Sequence, residues 1–195
     1  MSTPARAESV DHLERLVAAL LAKGVVSEAE LAAQQASTDK ASPEVGARMV
    51  ARAWLNPEWR AMLLRSGTEA AEALGISMAG APPLGVLEDT AKRHHIIVCT
   101  LCSCYPRAVL GYPPYWYKSF SYRSRVVREP RAVMAEWGSE LPDDIELRIV
   151  DSTADYRWMV LPQRPAGTEG WSEDQLAALV TRDVLVGVAL PKVPA

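Results

Sequence analysis

The sequence predicts an α+β protein, helical in its first part and strand-rich in its second. Three observations carry that reading. Up to about residue 80, apolar side chains recur at helical spacing behind Ser-Pro and Asn-Pro starts. The stretch Gly80-Ala81-Pro82-Pro83-Leu84-Gly85 interrupts the pattern, and short β-branched runs follow it. A helical region over 1–80 and an α+β region over 81–195 are therefore expected.

Taken in order, Val10, Leu13, Leu16, Val17, Leu20 and Leu21 define the first helix, with Ser9 placed to cap it and Gly24 to stop it. Ser27 with Glu30 makes a capping box that opens a second helix at Glu28. Ser42-Pro43 and Asn56-Pro57 each set a capping side chain before a proline at the first helical position, where no N–H is required. Those helices should run to about Trp54 and about Leu74, with Gly75 ending the second. His95 to Cys99 is too short for a helix and reads as a strand that delivers the cysteines at its end. Tyr105 to Tyr117, rich in Tyr and Pro, reads as loop. Ile145 to Val150 and Tyr156 to Leu161 read as the two arms of a hairpin turning at Asp151-Ser152-Thr153-Ala154-Asp155. Ser172 with Gln175 caps a helix to about Thr181, and Val184 to Val188 reads as a last strand.

Composition excludes several function classes. With 195 residues, 49% of them hydrophobic, the chain buries enough surface to fold without a metal or disulfide staple. A net charge of −3 argues against binding nucleic acid through bulk charge. The longest apolar run, Leu16 to Ala22, falls far short of the roughly 20 residues of a membrane span, and no leader pattern opens the chain. A soluble, cytoplasmic protein is the expectation. Three cysteines within six positions do not make a secreted disulfide framework. They read as a ligand cluster.

Cys99-Thr100-Leu101-Cys102-Ser103-Cys104 carries that cluster. A single residue separates Cys102 from Cys104, so an ion held by both sulfurs is pressed against the peptide nitrogens between them. If the Ser103 and Cys104 amides lose their protons, six consecutive residues supply three sulfurs and two nitrogens and leave one octahedral position open. Such donors suit a low-spin trivalent ion such as Co(III) or Fe(III). Zinc asks for a fourth side chain, which would have to be His94 or His95. That alternative makes the protein a zinc-stabilised interaction module without catalysis. The two histidines are adjacent on a strand, which places at most one in the core and favours ordinary hydrogen bonding over ligation. An anionic metal site needs cations nearby. Lys92 to Arg131 offers eight (Lys92, Arg93, Arg107, Lys118, Arg123, Arg125, Arg128 and Arg131) against one acid, Glu129. Tyr112, Tyr115, Trp116 and Tyr117 either line a substrate cavity or partner surface or pin the loop down.

The stretch Val98 to Cys104, VCTLCSC, resembles the metal signature of the nitrile hydratase alpha-subunit family. The likeness continues through Leu110-Gly111, Pro113-Pro114, Trp116-Tyr117-Lys118, the run Tyr122 to Arg131 and the run Met159 to Gly170, and covers about residues 40 to 190. The resemblance implies a nitrile hydratase alpha-like fold and the hydration of a nitrile to its amide. It makes Cys99 an axial thiolate, Cys102 a sulfinate and Cys104 a sulfenate with the catalytic oxygen. The Ser103 and Cys104 backbone nitrogens become the remaining protein ligands. Thr100 and Tyr105 resemble the cobalt-type pattern, so Co(III) is implied ahead of Fe(III). A beta-type partner would share the active site and a metallochaperone or activator would load it. One departure is present. Arg107-Ala108 stands where the two-subunit enzymes have Trp-Pro, which resembles the three-subunit relatives thiocyanate hydrolase and toyocamycin nitrile hydratase. A polar or bulky nitrile such as toyocamycin is then the expected substrate, with thiocyanate the alternative.

Overall fold

In the computed structural model, which describes residues 4–39 and 41–194, helix α1 runs over Pro4–Ala22. It begins ahead of Ser9, which lies within the helix rather than at its cap, because Pro4 already offers a preset first-turn φ. Gly24 ends it as expected: at φ +64° the chain turns back and the Val25 N–H reaches the Leu20 carbonyl at 3.1 Å. Ser27 then opens α2 (Glu28–Asp39), its Oγ accepting from the Glu30 N–H at 3.1 Å while Glu30 accepts from the Ser27 N–H at 2.9 Å. These helices form one compact unit, residues 1–40, and residues 41–195 form the other.

The second unit starts with α3 (Pro43–Leu55), capped by Ser42 and buried along Ala47, Met49, Val50, Ala51 and Ala53. Asn56 caps α4 (Pro57–Arg65), accepting from the Trp59 N–H at 2.9 Å. Here the helix is shorter than its spacing predicts. Ser66 leaves helical geometry and recaps the chain, accepting from the Glu69 N–H at 3.1 Å, so that α5 (Gly67–Ala73) starts afresh before Gly75.

Four strands follow, β1 (Leu84–Glu88), β2 (Arg93–Val98), β3 (Glu146–Asp151) and β4 (Arg157–Leu161). The expected hairpin between the last two does not form. β2 pairs with β3 and β1 with β4, both in parallel. Burial explains the choice. Met159, Val160 and Leu161 of β4 are core residues and need an equally buried neighbour, which Leu84 and Val86 of β1 provide. The register of β3 is set at the surface, where Glu146 lies opposite Arg93 and pairs with it at 2.9 Å. A parallel pair requires a long crossover. Between β2 and β3 that crossover holds the cysteines and the short helices α6 (Arg107–Leu110), α7 (Tyr115–Lys118), α8 (Phe120–Arg128) and α9 (Pro130–Glu136). The segment read as loop therefore contains two single helical turns, and two further helices come after it.

Two C-terminal helices close the unit. α10 (Glu173–Ala177) carries the expected Ser172–Gln175 capping box. The run read as a last strand is instead α11 (Arg182–Val186), capped by Thr181 and ended by Gly187 at φ +88°. A five-residue apolar run buried on every side has no periodicity to separate strand from helix. Among the described residues, no helix is long and apolar enough to cross a membrane.

Candidate metal centre

Parallel strands β2 and β3 end side by side, and the site lies at their carboxyl ends, where ligands collect in such sheets. β2 runs directly into the hook Cys99 to Cys104, while β3 ends in Asp151 followed by Ser152. The Cys102 sulfur lies 3.4 Å from that of Cys99 and 3.2 Å from that of Cys104, and all three thiol sulfurs fall within 4.8 Å of one another. Sulfurs sharing one ion at about 2.3 Å lie about 3.3 Å apart at right angles and about 3.8 Å apart at the tetrahedral angle. The two separations at Cys102 match the right-angled arrangement. The Ser103 and Cys104 backbone N–H groups lie near enough to the Cys102 sulfur to favour its thiolate.

Residues beyond the cysteines hold the hook. Asp151 accepts from the Thr100 N–H at 3.1 Å and from the Thr100 hydroxyl. Arg123 of α8 donates to the Thr100 carbonyl at 3.3 Å. Behind it, the buried Tyr117 donates to the Cys104 carbonyl at 2.8 Å; the Tyr122 hydroxyl does not reach the hook and donates within β2, to the Ile97 carbonyl at 2.7 Å. Of the four aromatics singled out in the sequence, Tyr117 thus pins the loop, Trp116 is half-buried beside it, and Tyr112 and Tyr115 are exposed.

Electrostatics at the thiols favour a cation. Hydrogen bonds from the Cys104 and Cys99 thiols and the Ser103 backbone lower Cys102 to about 7. Burial, with Cys102 and Cys99 close by, pushes Cys104 up to about 12. One exposed thiolate forms readily, and bringing the buried sulfurs to the same state asks for positive charge among them. Arg157, at the start of β4, supplies part of it, since its charge is felt at Cys104 as a lowering influence. The Arg157 Nη1 and Arg123 Nε atoms are buried with no acceptor among the described residues. Donors left over beside a sulfur cluster fit an anionic group placed there, and the donor set fits a soft or trivalent ion.

The basic segment contributes less than its charge suggests. Arg123 alone among its eight cations has a recorded bond to the hook. Lys92 pairs with Asp144, Arg93 with Glu146 and Arg125 with Glu129 and Glu136, while Arg131 donates to carbonyls between Leu141 and Ile145. Arg157 carried no local signal, because one arginine opening an apolar strand looks like any strand end.

The histidines lie apart from the thiol chemistry. Both are buried, against the expectation of at most one, because Asp89 in the β1–β2 turn reaches both rings. His94 Nδ1 lies 2.8 Å from Asp89 Oδ2 and His95 Nδ1 3.0 Å from Asp89 Oδ1, and His94 Nε2 donates to the Gly187 carbonyl at 2.7 Å. Burial opposes charge on His94, but Asp89 and the Gly187 carbonyl outweigh it and hold its pKa above the usual histidine value. A pKa raised on folding adds stability that is complete below the unfolded value near 6.5 and is lost as pH rises through the folded one. The stability lost in His94→Gln should therefore be larger at about pH 6 than at about pH 9 in urea unfolding; an equal loss at both would contradict a charged His94.

The family model for the nitrile hydratase alpha chain matches residues 6–189. A nitrile hydratase subunit alpha from Rhodococcus sp is 48% identical over 194 residues, covering 98% of both chains. The chain belongs to the nitrile hydratase alpha-subunit family. Within it, a cobalt-containing alpha subunit from Pseudonocardia thermophila is 50% identical over 77% of this chain and 74% of its own length. Thiocyanate hydrolase subunit gamma from Thiobacillus thioparus is 48% identical over 77% of this chain and 66% of its own. A solved structure, a double mutant of the Fe-type nitrile hydratase from Comamonas testosteroni Ni1, superposes with a TM-score of 0.90 at 40% identity, covering 100% of this chain and 97% of that one. The expected α+β, nitrile hydratase alpha-like fold is thus found. The family includes cobalt and iron types, and its members here are subunits of larger enzymes.

Proposed function

We propose that this alpha-family chain is the metal-bearing subunit of a nitrile hydratase that converts a nitrile to its amide at a low-spin Co(III) centre. Cys99, Cys102, Cys104 and the Ser103 and Cys104 backbone nitrogens are the ligands, with Cys102 as sulfinate and Cys104 as sulfenate. The observation that carries this is the hook itself: sulfur separations of 3.2 and 3.4 Å, with two backbone N–H groups near the central sulfur. The cobalt-containing relatives and the pair Thr100 and Tyr105 favour cobalt over iron. A zinc-binding interaction module is disfavoured, because His94 has both ring nitrogens engaged and Asp89 holds His95.

The ion, when bound, supplies Lewis acidity toward a nitrile nitrogen and lowers the pKa of water. The chain's own residues do the rest. The Cys104 oxygen serves as base or nucleophile toward the nitrile carbon, Arg157 offers the donor that holds it, and Asp151 with Arg123 keeps Thr100, and with it the hook, in place. The exposed Leu101 and Phe120 flank this face, with Arg123 over the Phe120 ring. An apolar rim beside an unfinished site suits a beta-type subunit that completes it. A metallochaperone or activator delivers the ion, and the enzyme works in the cytoplasm.

Arg107 bears on the substrate. Its guanidinium sits over the exposed Tyr112 ring, 5.9 Å from the centroid, where it adds bulk and positive charge three residues beyond Cys104. That favours a polar or bulky nitrile such as toyocamycin, and the same charge supports thiocyanate hydrolysis as the second reading. Produced with its partner subunits and cobalt, the chain is expected to hold about one cobalt, to gain about 48 Da from three oxygens, and to turn a nitrile into its amide. Zinc at that stoichiometry, unmodified thiols and no amide would refute the reading. Carbonyl sulfide from thiocyanate without amide formation would select the second.

A further inference from the structure

Each root of the hook is held by a buried hydrogen bond that uses neither a thiol nor a cation. At one root, the Ser152 N–H donates to the carbonyl of Val98, the residue before Cys99, at 2.7 Å. The Ser152 hydroxyl accepts from the Trp158 N–H at 3.3 Å and lies near enough to the Tyr117 phenol to favour its charged form. At the other root, the Tyr117 hydroxyl donates to the Cys104 carbonyl at 2.8 Å. Ser152 is 1% exposed and Tyr117 fully buried. Tyr105 and Tyr122 fix the Tyr117 ring, at centroid distances of 4.9 and 5.8 Å.

We propose that Ser152 and Tyr117 form a bracket across the base of the hook that positions Cys104, and through it the three sulfurs, ahead of metal binding. Both are positioning residues that act through the Cys104 carbonyl. The order of the chain explains why the bracket exists. Six residues leave β2 and must return a third sulfur to within 3.2 Å of the second, which a free loop does only as one conformation among many. Fixing Val98 and Cys104 to one pair of neighbouring residues removes that freedom, so the ion meets a preformed donor set. Parallel pairing makes this possible, because it brings the residue after β3 beside the residue after β2.

The inference rests on the metal reading above, and its test separates the two. In the cobalt-loaded complex, Tyr117→Phe and Ser152→Ala should each release cobalt to a chelator about 10-fold faster or more and shift the sulfur-to-cobalt absorption band. The double variant should release it no faster than Tyr117→Phe alone, since both substitutions open one bracket. Tyr122→Phe is the control: it deletes an equally buried phenol hydroxyl, bonded to the Ile97 carbonyl within β2, and should leave rate and band as in the wild type. Should Tyr117→Phe fail to assemble, Ser152→Ala carries the comparison. Equal effects in all three single variants, or wild-type behaviour in Tyr117→Phe and Ser152→Ala, would overturn the bracket. A wild-type complex lacking the band would instead overturn the metal reading, and the bracket's purpose with it.

Discussion

Cys104→Ala is expected to abolish turnover in the assembled enzyme, lowering kcat by more than about 100-fold, beyond what loss of a supporting residue costs at metal sites. The substitution removes a ligand and the reactive oxygen together. It also removes the sulfur that sits 3.2 Å from Cys102 and is buried beside Arg157, so the remaining pair no longer encloses an ion on three sides. Cobalt content should fall with activity, and steady-state amide production with metal analysis on one sample measures both. Wild-type kcat at full cobalt loading would remove Cys104 from the mechanism.

The second large effect falls on folding. Gly187 ends α11 at φ +88°, and a Cβ there would stand 2.0 Å from the His95 carbonyl oxygen and 3.0 Å from its carbon. Both contacts are backbone of β2, whose residues beyond Arg93 are buried in the core and leave little room to move. Gly187→Ala meets the left-handed backbone penalty and the clash together, a loss of about 3 kcal/mol or more. It would also push the Gly187 carbonyl away from His94 and leave a buried imidazolium with one acceptor fewer. The unfolding midpoint should fall by about 10 °C. A midpoint within about 2 °C of wild type would show that α11 and β2 are not held this closely.

The sequence was most legible where chemistry is local. Ser42, Asn56 and Ser172 each sit one residue before a helix they cap, and VCTLCSC announces its thiol cluster by spacing alone. What stayed hidden depends on distant partners. The hairpin expectation failed because nothing within residues 145–161 records that β1 and β2 are the better neighbours for its two arms. Asp151 reads as a turn residue and Ser152 as its companion, yet together they hold the start of the hook, at Thr100 and Val98, because parallel pairing carries them there. The helices α8 and α9 were passed over although Ser119 and Pro130 mark their starts. Their apolar positions are few, and what stabilises them is the packing of Tyr122, Val126, Val133 and Met134 into the core. Arg157 and Asp89 are single charged residues at strand ends, and only the folded chain reveals what they face.

X-ray absorption on the cobalt-loaded complex tests the central claim most directly. A six-coordinate ion with a shell of three sulfurs at about 2.3 Å and a nearer shell of light atoms is the predicted spectrum. A four-coordinate ion carrying an imidazole signature would contradict the account, since His94 or His95 would then have left Asp89 to fill a tetrahedral site with no open octahedral position.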